Sequence, residues 1–121
     1  MKNLLLIGRT LKNGGAEKIT GNLSLALADY FHIYIILFDG SDIAYDYQGE
    51  IIDLKSKLGK SMISKLLGNL RRIIQIRKLK LKLNIDFSIS FLSTPNILNS
   101  LSKKNDQIIV SVHSQQNFDN Y

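Results

Sequence analysis

The stretch Leu4-Leu5-Leu6-Ile7-Gly8-Arg9-Thr10-Leu11-Lys12-Asn13-Gly14-Gly15-Ala16-Glu17-Lys18 decides the fold. Leu4 to Ile7 is a short continuous apolar run that stops at Gly8, the pattern of a strand buried on both faces, as in a parallel sheet. A loop follows and ends in Asn13-Gly14-Gly15. From Ala16 to Tyr30 the pattern turns helical: Ile19, Leu23, Ala26, Leu27 and Tyr30 share one stripe at three- and four-residue spacing. Glu17 sits in the first turn, where a carboxylate suits the helix dipole. Gly21 either weakens this helix or permits close packing.

Downstream the alternation continues. Ile33 to Phe38 reads as a second buried strand, closed by Asp39-Gly40. Residues 41–50 are polar and turn-rich, Ile51 to Leu54 reads as a short third strand, and 55–60 as a charged loop. Ser61 to about Leu83 reads as a long basic helix with Ile63, Leu66, Leu67, Leu70, Ile73, Ile74 and Ile76 on its apolar side. Its end, Lys78-Leu79-Lys80-Leu81-Lys82-Leu83, alternates with period two and leaves the helix boundary open. Asp86 to Leu92 reads as a fourth strand. Thr94-Pro95 reads as a helix start, with Thr as cap and Pro in the first position, for a helix to about Lys103. Gln107 to Val112 reads as a fifth strand. Strands alternating with helices predict an α/β fold: a Rossmann-like parallel sheet, first strand central, with helices on both faces. Ligands of such sheets bind beyond the carboxyl ends of the strands. That directs attention to the loops after Gly8, after Leu92 and after Val112.

Composition narrows the class. The 121 residues fit one domain, with 45% hydrophobic and 21% charged residues, an ordinary globular balance. There is no Cys, so neither disulfides nor thiolate metal sites are available, and a reducing compartment fits. The apolar start is too short for a signal peptide, and no apolar run is long enough to span a bilayer. These features predict a cytoplasmic protein. The net charge of +6 is concentrated: residues 60–85 carry eight basic side chains and no acidic one. Three readings of this basic helix stand: a solvated outer face, a membrane-surface face using Lys65, Arg71, Arg72, Lys78 and Lys80, or a nucleic-acid face. The last has no recognised motif and no aromatic residue in its support, and no nucleic-acid partner is expected.

Gly14-Gly15 at a strand-to-helix junction lets a ligand approach the backbone, and helix N-termini attract phosphate. It matches neither G-x-G-x-x-G nor a P-loop, and a tight turn before a helix is an equal reading. The surrounding segments add context. Gly14-Gly15-Ala16-Glu17-Lys18 resembles the Gly-Gly-Ala-Glu-Arg/Lys opening of glycosyltransferase family 4. Asn22 to Leu27 resembles that family's first helix. Asp86-Phe87-Ser88-Ile89-Ser90-Phe91 resembles its Asp-led strand ending Ile-Ser-Phe, with Ser88 departing from a hydrophobic position. Asn96-Ile97 resembles the next helix, and Val110-Ser111-Val112-His113-Ser114 a strand ending in a His-led pair. The likeness is co-linear over nearly the whole chain.

The resemblance implies the N-terminal, acceptor-side half of a GT-B glycosyltransferase. Such an enzyme moves a hexose from a nucleotide-sugar to a glycan or lipid-linked acceptor in cell-surface polysaccharide synthesis. It implies that residues 1–121 form a single, incomplete domain, inactive without a C-terminal half or a second chain supplying it. It also implies a peripheral location at the inner face of the membrane. With only residues 114–121 beyond it, the fifth strand is expected to keep one face uncovered. Gly14 and Gly15 would approach the donor diphosphate, His113 would be catalytic, and Asn96 and Ser114 would contact the acceptor. No metal or cofactor is implied beyond the nucleotide-sugar substrate. Structural readings stand beside these: His113 as the end of a strand, Asn96 as a helix-start hydrogen bond, Glu17 as a first-turn carboxylate, His32 as structural. Tyr45 and Tyr47 either stack on a sugar or pack. The alternative function is a non-catalytic α/β module binding a protein partner or anionic membrane through the basic helix.

Overall fold

The structure, a computed structural model, describes residues 1–12, 14–56 and 59–111. Five strands form one all-parallel sheet: β1 (Lys2–Gly8), β2 (Phe31–Leu37), β3 (Glu50–Asp53), β4 (Phe87–Phe91) and β5 (Gln107–Ser111). Their spatial order is β3-β2-β1-β4-β5, so β1 is central as expected. Helices α1 (Gly15–Leu27), α2 (Met62–Lys82) and α3 (Ser93–Leu101) supply three of the four connections, and residues 38–49 join β2 to β3 without a helix. The fold is α/β and Rossmann-like.

The apolar run of β1 serves both faces because successive side chains point opposite ways. Leu4 and Leu6 join Ile33, Ile35 and Leu37 in a core completed by Leu23 and Leu27 of α1. Leu5 and Ile7 join Tyr34, Ile36 and Phe38 in a second core completed by Ile76 of α2 and Leu98 of α3. Each fully buried Leu or Ile is worth about 1.5–3 kcal/mol. The two clusters clamp the sheet from both sides.

Helix α1 buries only part of the stripe that its apolar periodicity predicts: Leu23 and Leu27 pack on the core. Thr20, Gly21 and Ser24 are buried, while Ile19 is 37% and Tyr30 70% exposed. The reason is the segment 41–49, which lies along the helix. A Cβ at Gly21 would come within 2.6 Å of the Asp46 carbonyl oxygen, so only glycine admits that approach. The Gln48 N–H donates to Ser24 Oγ at 2.9 Å, and the hydroxyls of Thr20 and Ser24 donate back to helix carbonyls.

Helix α2 departs further. Ser61 caps it, its side chain accepting from the Ser64 N–H. The period-two tail does not end it: Leu79 and Leu83 pack on the core and Leu81 faces solvent. Asn84, at φ 52, terminates the helix in the left-handed region that Asn tolerates. Its buried residues are Arg72, Ile76 and Lys80, whereas Ile63, Leu66, Leu67, Leu70 and Ile74 are exposed. The predicted apolar side is therefore mostly the outer side. Helix α3 starts two residues before Pro95, with Leu92 (φ 76) as its N-cap position, so Thr94-Pro95 lies inside the first turn.

On β4, Ser88 and Ser90 alternate with Phe87 and Ile89 and face α2 and α3. There they meet a buried polar cluster. Lys80 Nζ lies 2.8 Å from Asp106 Oδ2, both side chains fully buried, and donates to Asn99 Oδ1 at 2.7 Å. The Ser88 hydroxyl donates to the same Asp106 carboxylate, and Asn99 Nδ2 donates to Ser90 Oγ. Ser88, the departure from the hydrophobic pattern, is thus a partner of a buried ion pair.

Candidate functional site: a basic crevice at the strand ends

Beyond the carboxyl ends of β1, β2 and β3 the loops remain tied together. The Phe38 N–H donates to the Gly8 carbonyl, Asp39 N–H to Arg9, and Ser56 N–H to Phe38. This platform walls a crevice of about 310 Å³, lined by Arg9, Thr10, Phe38, Asp39, Ser56, Arg72 and Thr94. Its contents come from every strand-end loop on that side, from the body of α2 and from the first turn of α3. Among the described residues no side chain caps α3, and Thr94 of its first turn lines the crevice.

Arg72 is 6% exposed. Its guanidinium lies 4.1 Å over the Phe38 ring; Nε donates to Ser56 Oγ at 2.7 Å, and a terminal nitrogen donates to the Ser56 carbonyl at 3.0 Å. A third, longer contact reaches Asn69 Oδ1. Burial, and then the nearby charge of Arg9, lower the Arg72 pKa, although an arginine stays protonated in water-based conditions. Among the described residues neither Arg9 nor Arg72 has a carboxylate within salt-bridge distance. The crevice's own carboxylate, Asp39, is engaged by Lys12 Nζ at 3.1 Å and by the Ser41 N–H. Hydrogen bonds from Ser41 and Lys12 hold it down to a pKa of about 2.

On the other side of Arg9 and Thr10 stands the N-terminus of α1. Gly14 adopts φ 132, a conformation that only glycine enters easily, and its N–H donates to the Tyr45 hydroxyl at 3.2 Å. Glu17 folds its carboxylate back over Gly14. Gly15 differs: a Cβ built there meets nothing within 4 Å, so no packing explains a glycine. A narrow cleft beside it is lined by Gly8, Arg9, Thr10, Glu17, Phe91 and Leu92.

The remaining candidates separate. Asn96 turns inward, accepting from Ser90 Oγ at 2.7 Å, and Thr94 lines the crevice in its place. Arg72 and Lys80 are corrected outright: both are buried and neither belongs to a membrane-facing surface. Lys65, Arg71 and Lys78 are exposed. His113 and Ser114 lie outside the described residues. His32 stacks on Tyr34 at 4.7 Å, near the start of β2 and opposite the crevice. Among the described residues no three His, Cys, Asp or Glu side chains gather as a metal site, and no helix is long and apolar enough to cross a membrane. The reading from sequence named none of Arg9, Thr10 and Ser56 as site residues, and it placed Arg72 on a membrane-facing surface. The first two could have been found, since they directly follow the central strand. Arg72 could not, because nothing in a basic helix marks the one arginine that turns inward.

The chain matches no family model and no curated protein.

Proposed function

We propose that the chain is the acceptor-side Rossmann-like domain of a GT-B glycosyltransferase, moving a hexose from a nucleotide-sugar to a glycan or lipid-linked acceptor of the cell surface. The observation that carries the proposal is the junction of central strand and α1. Gly14 holds a backbone conformation reserved for glycine, and Gly15 opens the helix with free space where a side chain would stand. This helix N-terminus suits a diphosphate once the Glu17 carboxylate, which folds back over Gly14, swings aside. The crevice across Arg9 and Thr10 then offers the acceptor a separate, adjacent place. The main nucleotide-sugar contacts lie, on this reading, on a second domain in the same or another polypeptide. His113 and Ser114 complete the acceptor side, and the enzyme works at the cytoplasmic face of the membrane.

The test is transfer of labelled hexose from nucleotide-sugars to a membrane-lipid and glycan extract. The purified chain alone should transfer nothing. Joined to a donor-binding GT-B domain it should transfer, and Gly15→Leu should abolish that transfer. Transfer by the lone chain would misplace the donor site; absence of transfer with every donor domain tried would remove the reading.

A second reading has its own observation. The outer face of α2 exposes Ile63, Leu66, Leu67, Leu70 and Ile74, and an apolar groove of about 270 Å³ runs between Leu66, Leu70, Ile97 and Leu101. Such a face, with lysines and arginines beside it, suits an anionic membrane surface.

A further inference from the structure

The geometry points to a phosphoryl-binding subsite in the crevice of Arg9, Thr10, Ser56, Arg72 and Thr94, taking a phosphate ester carried by the acceptor. This deepens the proposed function and rests on it.

The argument begins with charge. Two arginines border one crevice, and one of them is more than nine-tenths buried. A buried cation ordinarily has an anionic partner, because losing its water is otherwise unfavourable by several kcal/mol. Here the described residues supply none: the partly exposed Asp39 carboxylate is taken by Lys12, and the buried Asp106 carboxylate by Lys80. The Arg72 hydrogen bonds are all to neutral oxygens and engage three of its five N–H groups. Arg9 adds repulsion. An anion in the crevice would relieve both at once.

The shape of the donors then selects the anion. A guanidinium presents N–H groups in a planar fork suited to two oxygens of one phosphate or carboxylate. The crevice adds hydroxyls on Thr10, Ser56 and Thr94. Donors from several directions suit the tetrahedral oxygens of a phosphoryl group better than a flat carboxylate. The Phe38 ring holds the Arg72 guanidinium in plane, so the fork is oriented before any ligand arrives. The volume admits a phosphoryl group with part of an attached sugar.

Position assigns this phosphate to the acceptor. The α1 N-terminus and the crevice lie on opposite faces of the sheet, separated by Arg9 and Thr10. Each can hold its own anion: the donor diphosphate at Gly15, the acceptor's ester at Arg72.

Nitrogen–proton NMR of the full chain tests this, following the arginine Nε–H groups and the Thr94 and Gly15 amides. The probes are inorganic phosphate, a hexose phosphate, the same hexose unphosphorylated, a short-chain phosphodiester lipid and uridine diphosphate. Inorganic phosphate and hexose phosphate should move Arg72 Nε–H and the Thr94 amide saturably; the neutral hexose should not. Arg9→Gln, on an exposed side chain that leaves the fold intact, should weaken this by about tenfold or more, as loss of a charge-assisted bond does. Arg72→Lys should keep the charge and lose the oriented fork, and also weaken binding. Response to hexose phosphate but not the lipid identifies a soluble acceptor; the reverse identifies a lipid-borne one. Either supports the subsite. No saturable shift, equal binding by Arg9→Gln, or uridine diphosphate displacing hexose phosphate from Arg72 overturns it. Phosphate binding without transfer in the assay above would sink the transferase and leave the subsite. Transfer to neutral acceptors, unaltered by Arg9→Gln, would do the opposite.

Discussion

Gly14 and Gly15 are adjacent and identical in type, yet the structure gives them opposite tolerances. Gly14 at φ 132 needs its missing Cβ, and an alanine there should destabilise the chain by about 1–3 kcal/mol, the usual range for a side chain in such a conformation. Gly15 has ordinary helical geometry and open space around it. A leucine there should leave thermal stability unchanged or raised, because glycine is the poorer helix former by up to about 1 kcal/mol. The same leucine should block an approaching diphosphate. The expected result is a Gly15→Leu variant that melts no lower than the parent but no longer shows uridine-diphosphate-induced shifts of the Ala16 amide. A variant that keeps those shifts would place the diphosphate elsewhere. The sequence displayed both glycines but not the difference between them, since φ and free space belong to the folded chain. Ser88 carries the same lesson. It looked like a lapse in an apolar strand until Asp106, eighteen residues later, came to lie beside it.

Among the elements, β1 was legible because an apolar run bounded by glycine has few other uses. Helix α2 was legible as a helix and misread in orientation. Its apolar residues form a stripe, and periodicity assigns a stripe to the core. The core instead takes the edge holding Arg72, Ile76 and Lys80, where Asp106 and Asn99 pair with Lys80 and Ser56 gives Arg72 neutral hydrogen bonds. A buried arginine or lysine is rare without such partners, and the partners lie on distant segments. At about 100° per residue, Arg71, Lys78 and Lys82 fall beside the exposed apolar stripe. If this face meets a membrane, the chain should bind anionic vesicles at low salt and release as salt rises. Arg71→Gln, Lys78→Gln and Lys82→Gln together should lower affinity on the order of 100-fold, at about 1 kcal/mol for each charge near the surface. Arg72 and Lys80 do not belong in that set, since both are buried and present no charge to a surface. Binding to neutral vesicles as tight as to anionic ones, measured by flotation, would end the electrostatic version of the idea.

At the scale of the molecule, the parallel sheet followed from the alternation of strands and helices, because parallel neighbours need a crossover connection. Ile109 and Val110, on opposite faces of the edge strand β5, are 48% and 45% exposed. What periodicity could not reveal is how that flank is fastened. Helices α2 and α3, strand β4 and the turn before β5 meet at Lys80, Asn99, Ser88 and Asp106, so one ion pair ties four parts of the chain together. Burial by itself would raise the Asp106 carboxyl, but the Lys80 ammonium, the Ser88 hydroxyl and the Lys104 N–H outweigh it and hold the pKa below its ordinary value. A carboxyl depressed in the folded state contributes stability that is complete above its unfolded pKa of about 3.9 and is lost as pH falls through the lower folded value. Urea unfolding should therefore show a stability plateau at neutral pH and a decline that begins near pH 4 and continues below it. Lys80→Met removes the partner and leaves a buried carboxylate uncompensated, which should destabilise the domain by about 3–5 kcal/mol at neutral pH. It should also reverse the sign locally: with its counter-charge gone, burial raises the Asp106 carboxyl, so the variant should gain stability relative to the parent as pH falls toward 4. Lys80→Met with Asp106→Leu should recover most of the loss, since a well-packed apolar pair can replace a buried ion pair. A Lys80→Met variant with parental stability and parental pH dependence would show that the seam between the helices and the β5 flank does not depend on this pair.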